Sequence, residues 1–292
     1  MPTSFDRAFA IGTGLNVAFV AAEVFYGLSA NSLALLADAG HNLSDVLGLV
    51  LAWVAILVGR RKPTARRTYG LGHTSILASL VNAVALLLAI GGIAWEAILR
   101  LQSPQPVQSG TVMLVAAMGI LINGATAALF ASGRKGDINI RAAFAHMLGD
   151  AVVSLGVVVA ALILRQTGWT WIDPLVSLAI SVVIALGTWS IFTESFNLAV
   201  ASVPENIDRD KVASYLEGLS GVSEVHDLHI WPLSTTSVAL TAHLVRSSAC
   251  VDDAFTAGIS KELEQRFGIN HATIQLETGH PDFACPLTHH AA

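Results

Sequence analysis

Charged residues are scarce in this chain: of 292 residues, 13% are Asp, Glu, Lys or Arg, whereas 53% are hydrophobic. Soluble domains carry about 25% charged residues, so the composition excludes an ordinary soluble protein of this length. The formal net charge of −5 also gives no basic footprint for nucleic acid. The composition therefore predicts an integral membrane protein.

Cysteine is rare as well, with Cys250 and Cys285 as the two examples, both beyond the last long apolar run. Two cysteines are too few for a disulfide framework, and their position suits a reducing cytosol. Residues 1–7 lead into the first apolar run without a small-residue cleavage site. We therefore expect that run to be a membrane span rather than a signal peptide.

Two catalytic signatures are missing from the sequence. A Gly-x-x-x-x-Gly-Lys-Ser/Thr phosphate loop does not occur, so we expect no work driven by nucleotide hydrolysis. A His-Glu-x-x-His motif is also absent, although zinc hydrolases often use it to supply both ligands and a general base. Both absences weigh against an enzyme.

The most extensive feature that is present is a series of six apolar runs, each near the ~20 residues that a helix needs to cross a bilayer. They cover residues 9–28, 34–58, 75–98, 110–131, 142–164 and 172–194. The sequence therefore predicts an all-α bundle of six transmembrane helices.

Basic residues concentrate in two of the connections between these runs, while the other loops hold only Arg100 and Arg165. The two basic connections contain Arg60, Arg61, Lys62, Arg66 and Arg67, and then Arg134, Lys135 and Arg141. Because basic loops stay on the cytoplasmic side, both termini are predicted to be cytoplasmic.

After Pro204 the composition becomes that of a soluble domain. Apolar periodicity there predicts a helix, two strands, a helix and a third strand, over residues 208–219, 222–231, 237–245, 252–267 and 272–277. The predicted domains are thus 1–203, which spans the membrane, and 204–292, a small cytosolic α/β domain of α-β-β-α-β order with a tail that carries histidine and cysteine.

Two matched pairs of ionisable residues lie inside the apolar runs: His41 with Asp45, and His146 with Asp150. Four residues is just over one helical turn, so each pair projects from one helix face. At 1.5 Å per residue, Asp45 is about 17 Å from the outer edge and Asp150 about 12 Å from the inner edge of a ~30 Å core. The depths nearly coincide, and two nitrogens with two oxygens suit tetrahedral zinc. The alternative is hydrogen-bonded groups that only join helices.

Three further acidic residues in or beside the spans have open roles. Glu23 is either a proton relay or the partner of another buried group. Asp38 either accepts a hydrogen bond from the His41 ring or faces the outer vestibule. Asp173, which precedes Pro174, is interpreted as a capping carboxylate at a helix start.

The cytosolic domain holds a second set of candidate metal ligands. A hairpin that turns about Ser234 and Thr235 would place His226 opposite His243, with Cβ atoms about 5 Å apart. The tail adds further donors: His271, Glu277, His280, Asp282, Cys285, His289 and His290. The alternative for any one of these histidines is a solvated surface residue.

Four segments carry a resemblance to a known family: residues 32–45 (SLALLADAGHNLSD), 68–73 (TYGLGH), 146–150 (HMLGD) and 225–231 (VHDLHIW). Together they resemble the cation diffusion facilitators, metal-ion/proton antiporters, and in particular the zinc-preferring bacterial members. The resemblance implies a homodimer, six transmembrane helices and a ferredoxin-like, metallochaperone-like cytosolic domain that binds additional zinc. It also implies a peripheral metal at His73, although a lone loop histidine is more often no ligand. The histidine-rich loop of the eukaryotic vesicular members is missing between the fourth and fifth runs.

The resulting expectation is a proton-coupled exporter of Zn²⁺ in the bacterial inner membrane, with His41, Asp45, His146 and Asp150 as its transport site. Zinc would be the substrate and also a structural or regulatory ion, and no organic cofactor is expected. An intramembrane zinc hydrolase and a membrane-tethered metal sensor are the alternatives. The sequence leaves open the choice among Zn²⁺, Cd²⁺, Co²⁺ and Ni²⁺, the proton stoichiometry, and the number of cytosolic sites.

Overall fold

The computed structural model describes residues 3–59, 61–130, 138–246, 253–280, 282 and 285–287. Some sequence predictions concern residues outside these ranges, namely Arg60, Arg134, Lys135, Cys250, His289 and His290.

Six long helices come first, and each predicted apolar run falls on one of them. They are α1 (Thr3–Ser29), α2 (Leu33–Gly59), α3 (Thr74–Gln102), α4 (Ser109–Phe130), α5 (Ile138–Thr167) and α6 (Ile172–Ala199). Within the described residues, four helices are long and apolar enough to cross a membrane, and these lie in α3, α4, α5 and α6. The first part of the chain is therefore a helical membrane region.

Two compact units divide the chain, one of residues 1–50 and 81–190, the other of residues 51–80 and 191–292. The first unit has a buried cluster to which α2, α3, α4, α5 and α6 all contribute. Small side chains on α2, Ala34 and Ala37, pack there with Ile90, Val157 and Ile180. Small residues allow close approach of helix backbones, which is how helices associate when water supplies no hydrophobic driving force.

Asp173 lies in the first turn of α6, but its carboxylate caps a different helix. It accepts hydrogen bonds from the hydroxyl of Ser32 and from the backbone N–H of Leu33, the latter at 2.8 Å. The first N–H groups of a helix have no partner within that helix, and those of α2 are buried here. Asp173 is therefore a capping carboxylate, as expected, but it caps the start of α2 and not the start of its own helix.

The second unit contains a small α/β fold in the predicted α-β-β-α-β order. Its elements are α7 (Arg209–Glu217), β1 (Val222–Pro232), β2 (Val238–Arg246), α8 (Asp253–Phe267) and β3 (His271–Glu277). The sheet order is β1-β2-β3, with β2 antiparallel to β1 and parallel to β3. Side chains from the sheet and both helices, including Val212, Leu240, Leu244 and Leu263, form its buried core.

Candidate metal centres

Four side chains from α2 and α5 converge in the first unit, and we call them the helix cluster: His41, Asp45, His146 and Asp150. Nε2 of His41 lies 3.7 Å from Oδ2 of Asp45 and 3.4 Å from Oδ1 of Asp150. Nε2 of His146 lies 3.2 Å from Oδ2 of Asp45 and 3.7 Å from Oδ2 of Asp150. Nε2 of each ring thus faces both carboxylates. Donor atoms of His41, His146 and Asp150 lie within 4.8 Å of one another, and Asp45 approaches both rings without belonging to that group of three.

The chemistry of the helix cluster suits a divalent cation. The two rings meet edge to face with centroids 5.7 Å apart, and Nε2 of each ring faces the carboxylates. Oδ2 of Asp45 is buried yet has no hydrogen-bond partner among the described residues. Two carboxylates match the charge of a divalent ion, and neutral imidazoles add borderline-soft ligands.

Exposure is uneven across the helix cluster. The side chain of Asp150 is 5% exposed and that of His41 24%, whereas those of Asp45 and His146 are 36% and 42% exposed. The cluster is therefore closed on the Asp150 side and open on the side of Asp45 and His146.

Asp38 takes neither of the two roles that the sequence left open. It is fully buried, so it does not face a vestibule, and its Oδ2 accepts a hydrogen bond from the Ser154 hydroxyl at 3.0 Å. Nδ1 of His41, the atom that Asp38 would contact in the first of these roles, is buried without a hydrogen-bond partner in the described part of the chain.

A second group of donors lies in the α/β fold, and we call it the sheet cluster: His226, His243, Glu277 and Cys285. One ligand atom from each residue lies within 4.8 Å of all the others. Nδ1 of His243 is 2.9 Å from Oε1 of Glu277 and 3.4 Å from Sγ of Cys285, and Nε2 of His226 is 3.5 Å from Oε2 of Glu277.

Strand pairing brings these residues together. His226 of β1 lies opposite His243 of β2, which confirms the predicted register, and their ring centroids are 5.2 Å apart. β3 runs parallel to β2 and places Glu277 opposite Val245, two residues beyond His243. Because side chains alternate along a strand, that offset keeps Glu277 on the same sheet face.

The two acidic members of the sheet cluster have opposite pKa shifts. Burial opposes ionisation of Glu277, but hydrogen bonds from Cys285 and Gln275 and the nearby histidine rings outweigh it and lower the pKa of the carboxyl. A backbone hydrogen bond from Leu287 favours the Cys285 thiolate, yet desolvation and the negative charges of Glu277 and Asp227 raise the pKa of the thiol. Before a metal binds, the cluster thus holds a carboxylate and a protonated thiol.

Sequence reasoning missed Asp227, whose Oδ2 lies 3.6 Å from Nε2 of His243 and whose Oδ1 lies 3.0 Å from Nε2 of His229. Regular alternation would put Asp227 on the face opposite His226. A bulge between His226 and His229 adds one residue to β1, and Asp227 there adopts a φ of 51°. A bulge of this kind has no clear sequence signal apart from the aspartate, which tolerates positive φ.

Four other predicted ligands are not in either cluster. His271 begins β3 and contacts the Tyr69 ring, with centroids 5.5 Å apart. His280 and Asp282 contact each other, since the Asp282 N–H donates to Nδ1 of His280 at 3.2 Å. His73 is exposed in the connection before α3. Within the described residues, none of the four belongs to a group of three or more donors close enough to share an ion.

Two family models match nearly the whole chain. The model described as the cation efflux transmembrane domain matches residues 10–198. The model described as the cytoplasmic domain of cation efflux proteins matches residues 204–279.

Curated relatives agree with these matches. The metal cation efflux system protein CzcD of Cupriavidus metallidurans is 34% identical over 94% of this chain and 88% of its own length. The zinc transporter ZitB of Escherichia coli is 36% identical over 90% and 85%. The cadmium, cobalt and zinc/H(+)-K(+) antiporter of Bacillus subtilis is 35% identical over 88% and 84%. The chain therefore belongs to the cation diffusion facilitator family of cation efflux transporters.

Proposed function

We propose that the protein exports Zn²⁺ from the cytosol in exchange for protons, with the helix cluster as its transport site. The observation that carries this proposal is the meeting of two imidazoles and two carboxylates from α2 and α5. Such a set provides four ligands for tetrahedral zinc and the negative charge that a desolvated divalent ion requires.

Proton coupling follows from competition for the same atoms. Zinc binds neutral imidazole and ionised carboxylate, so protons that reach His41 or His146 weaken the site. Protons that arrive from the outer side favour release of zinc there, whereas the less acidic cytosol favours its capture. Antiport therefore needs no separate energy source beyond the proton gradient.

The membrane arrangement is part of the proposal. All six helices span the membrane, both termini are cytoplasmic, and a ferredoxin-like cytosolic domain begins near residue 204. The protein acts as a homodimer in the bacterial inner membrane. Basic residues in the loops after α2 and α4 support this orientation.

With this orientation, the more exposed half of the helix cluster would face the cytosol. α2 runs inward and α5 outward, so Asp45 and His146 occupy the cytoplasmic side of the helix cluster. They are its two more exposed side chains, while Asp150 is closed off. The uneven exposure fits a site that is ready to receive zinc from inside.

The sheet cluster is proposed as a second zinc site with a structural or regulatory role. Both rings are largely buried, and neither ring nitrogen of His226 has a hydrogen-bond partner within the described residues. Unsatisfied buried ring nitrogens are costly, and a bound metal ion would satisfy one of them.

Zinc is the proposed principal substrate because each half of the helix cluster pairs one nitrogen with one oxygen ligand. One relative is named for zinc alone, and another for cadmium, cobalt and zinc. Replacing a nitrogen ligand by oxygen in His41→Asp should shift preference toward harder ions such as Mn²⁺. Competition assays that gave the wild-type order of metals would remove His41 as a selectivity ligand.

Family membership decides against the hydrolase, since the matched family consists of transporters and not enzymes. A metal sensor would depend on the sheet cluster alone. It would leave the converging residues of the helix cluster without a role.

Proteoliposomes with a zinc dye and a pH dye inside would test the antiport. An imposed pH gradient should drive zinc uphill, and an imposed zinc gradient should drive protons the opposite way, because linkage at a shared site is reciprocal. Zinc entry without any zinc-dependent proton flux would show a uniporter and overturn the exchange.

A further inference from the structure

Two buried acidic residues of the first unit have no part in the helix cluster. Glu23 of α1 and Asp38 of α2 are both 0% exposed. Their carboxyl groups lie within hydrogen-bonding reach of each other, and we call them the carboxyl pair. Burial of two acids in contact requires a charge or a proton to compensate them.

Each carboxyl has one oxygen that is satisfied and one that is not. The Asn42 amide donates to Oε2 of Glu23 at 2.9 Å, and the Ser154 hydroxyl donates to Oδ2 of Asp38 at 3.0 Å. The other oxygens, Oε1 of Glu23 and Oδ1 of Asp38, are buried and have no hydrogen-bond partner in the described part of the chain. Acceptor-only carboxylates cannot satisfy each other, so the pair lacks one hydrogen.

In the described part of the chain, neither lysine nor arginine replaces that hydrogen. The ionisable groups that act on the pair from neighbouring helix positions are Asp150 of α5, which is acidic, and His41 of α2. Among the described residues, no lysine or arginine forms an ion pair with Glu23 or Asp38. One proton shared by the two carboxyl groups would supply the missing hydrogen and halve the buried charge.

We propose that Glu23 and Asp38 form a proton-binding site, separate from the metal ligands, whose single proton is exchanged for the transported metal ion. The inference rests on the proposed antiport, and it adds a second place where protons are carried. α2 supplies the link, because Asp38 and Asn42 lie on one of its faces and His41 and Asp45 on an adjacent one.

The exchange follows from electrostatics. Without metal, the negative charge of Asp150 favours a proton on the carboxyl pair. A divalent ion at the helix cluster neutralises Asp150 and adds positive charge, so the pair changes from singly protonated to fully ionised and releases its proton to the cytosol. When the ion leaves on the outer side, the pair takes up a proton from that side.

The direct test counts protons released when full-length purified protein binds Zn²⁺ in weakly buffered detergent solution with a pH indicator. Glu23→Gln replaces the carboxyl group by an amide of the same size, which can hydrogen-bond but does not titrate. It should bind as much zinc as wild type and release about one proton fewer per protein molecule. Glu96→Gln makes the same change at a partly exposed carboxylate of α3 and should release as many protons as wild type.

If Glu23→Gln released as many protons per zinc as wild type, the carboxyl pair would not be a proton site, while the antiport would stand. If wild-type protein bound zinc and released no protons, the antiport itself would fail. The two failures are therefore distinguishable in one experiment.

Infrared difference spectroscopy on wild-type protein gives a measurement that does not depend on a folded Glu23 variant. Addition of Zn²⁺ should remove a C=O stretching band of a protonated carboxylic acid. Ser154→Ala, which takes away the donor to Asp38 and leaves every charge in place, should shift that band. A spectrum without the band, or a band at the same position in Ser154→Ala, would overturn the inference.

Discussion

The helix cluster and the sheet cluster place two histidines near acidic ligands by different structural means. In the helix cluster, each His-Asp pair is four residues apart in the sequence, and helix geometry puts its members on one face. In the sheet cluster, His226 and His243 come from two strands, Glu277 from a third, and Cys285 from beyond the sheet. Local geometry prepares the first cluster, whereas strand register and chain path assemble the second.

The helix cluster and the sheet cluster also differ in the chemistry of their ligands. The helix cluster has two carboxylates and no thiol, and protons compete with the metal ion for such ligands. The sheet cluster adds a thiol, and thiolate ligands are typical of structural zinc sites. This difference in ligands fits the proposal that the helix cluster passes an ion on and the sheet cluster retains one.

The sharpest way to break this comparison is to remove a carboxylate from the helix cluster. Asp150→Ala loses a ligand and half of the compensating charge, so zinc transport should fall to the level of empty liposomes. The protein should remain folded, as judged by its elution in size-exclusion chromatography. Asp45→Ala should behave alike, and Glu194→Ala, an exposed acid on α6, should transport normally. Wild-type transport by Asp150→Ala would remove the helix cluster as the transport site.

Removal of both histidine rings from the sheet cluster should instead reduce the amount of zinc that the protein retains. His226→Ala/His243→Ala should lower the number of zinc ions that full-length protein keeps after dialysis, while the helix cluster still binds. His271→Ala is the matched control, because it removes a histidine from the same sheet and outside the cluster. Mass spectrometry of retained metal gives the readout. Equal retention in the double variant and the control would show that the clustering has no part in binding.

The pH dependence of the sheet cluster should come from its thiol rather than its carboxylate. The lowered pKa of Glu277 keeps that group ionised near neutrality. Glu277 therefore does not make zinc affinity depend on pH in that range. The raised pKa of Cys285 means that zinc must displace a thiol proton, and affinity should rise with pH between about pH 7 and 9.

Zinc titrations of Asp150→Ala protein, in which the helix cluster is disabled, would measure this slope. Adding Cys285→Ser should flatten it over that range. A slope that stays the same after the serine substitution would place the displaced proton on another group.

The smallest effect concerns the packing of α4 within the first unit. A Cβ at Gly119 of α4 would lie 2.8 Å from the Phe19 ring and 2.9 Å from the Ser154 hydroxyl, whereas one at Gly124 meets nothing within 4 Å. Gly119→Ala should therefore destabilise the protein by about 1–3 kcal/mol. Gly124→Ala should be neutral or slightly stabilising through helix propensity. Equal midpoints of thermal unfolding for the two variants would contradict the close approach at Gly119.

The sequence alone predicted the structure correctly wherever one hydrophobic periodicity extends over a long segment. Apolar runs predicted the positions of all six helices, because a run of that length admits one conformation in a membrane. The His-Asp spacing indicated which residues share a helix face. In the soluble part, alternating apolar residues predicted the strands and even the register of His226 against His243.

Tertiary structure decided what periodicity does not encode. A bulge in β1 places Asp227 beside the sheet cluster. The Asp173 carboxylate caps α2 and not its own helix. His271 lies six residues before Glu277 along β3, away from the sheet cluster. Tertiary structure also brought Glu23 and Asp38 from two helices into contact. Sequence spacing fixes which residues share a face of one element, but which faces meet depends on how helices and strands pack, and that is set by the whole chain at once.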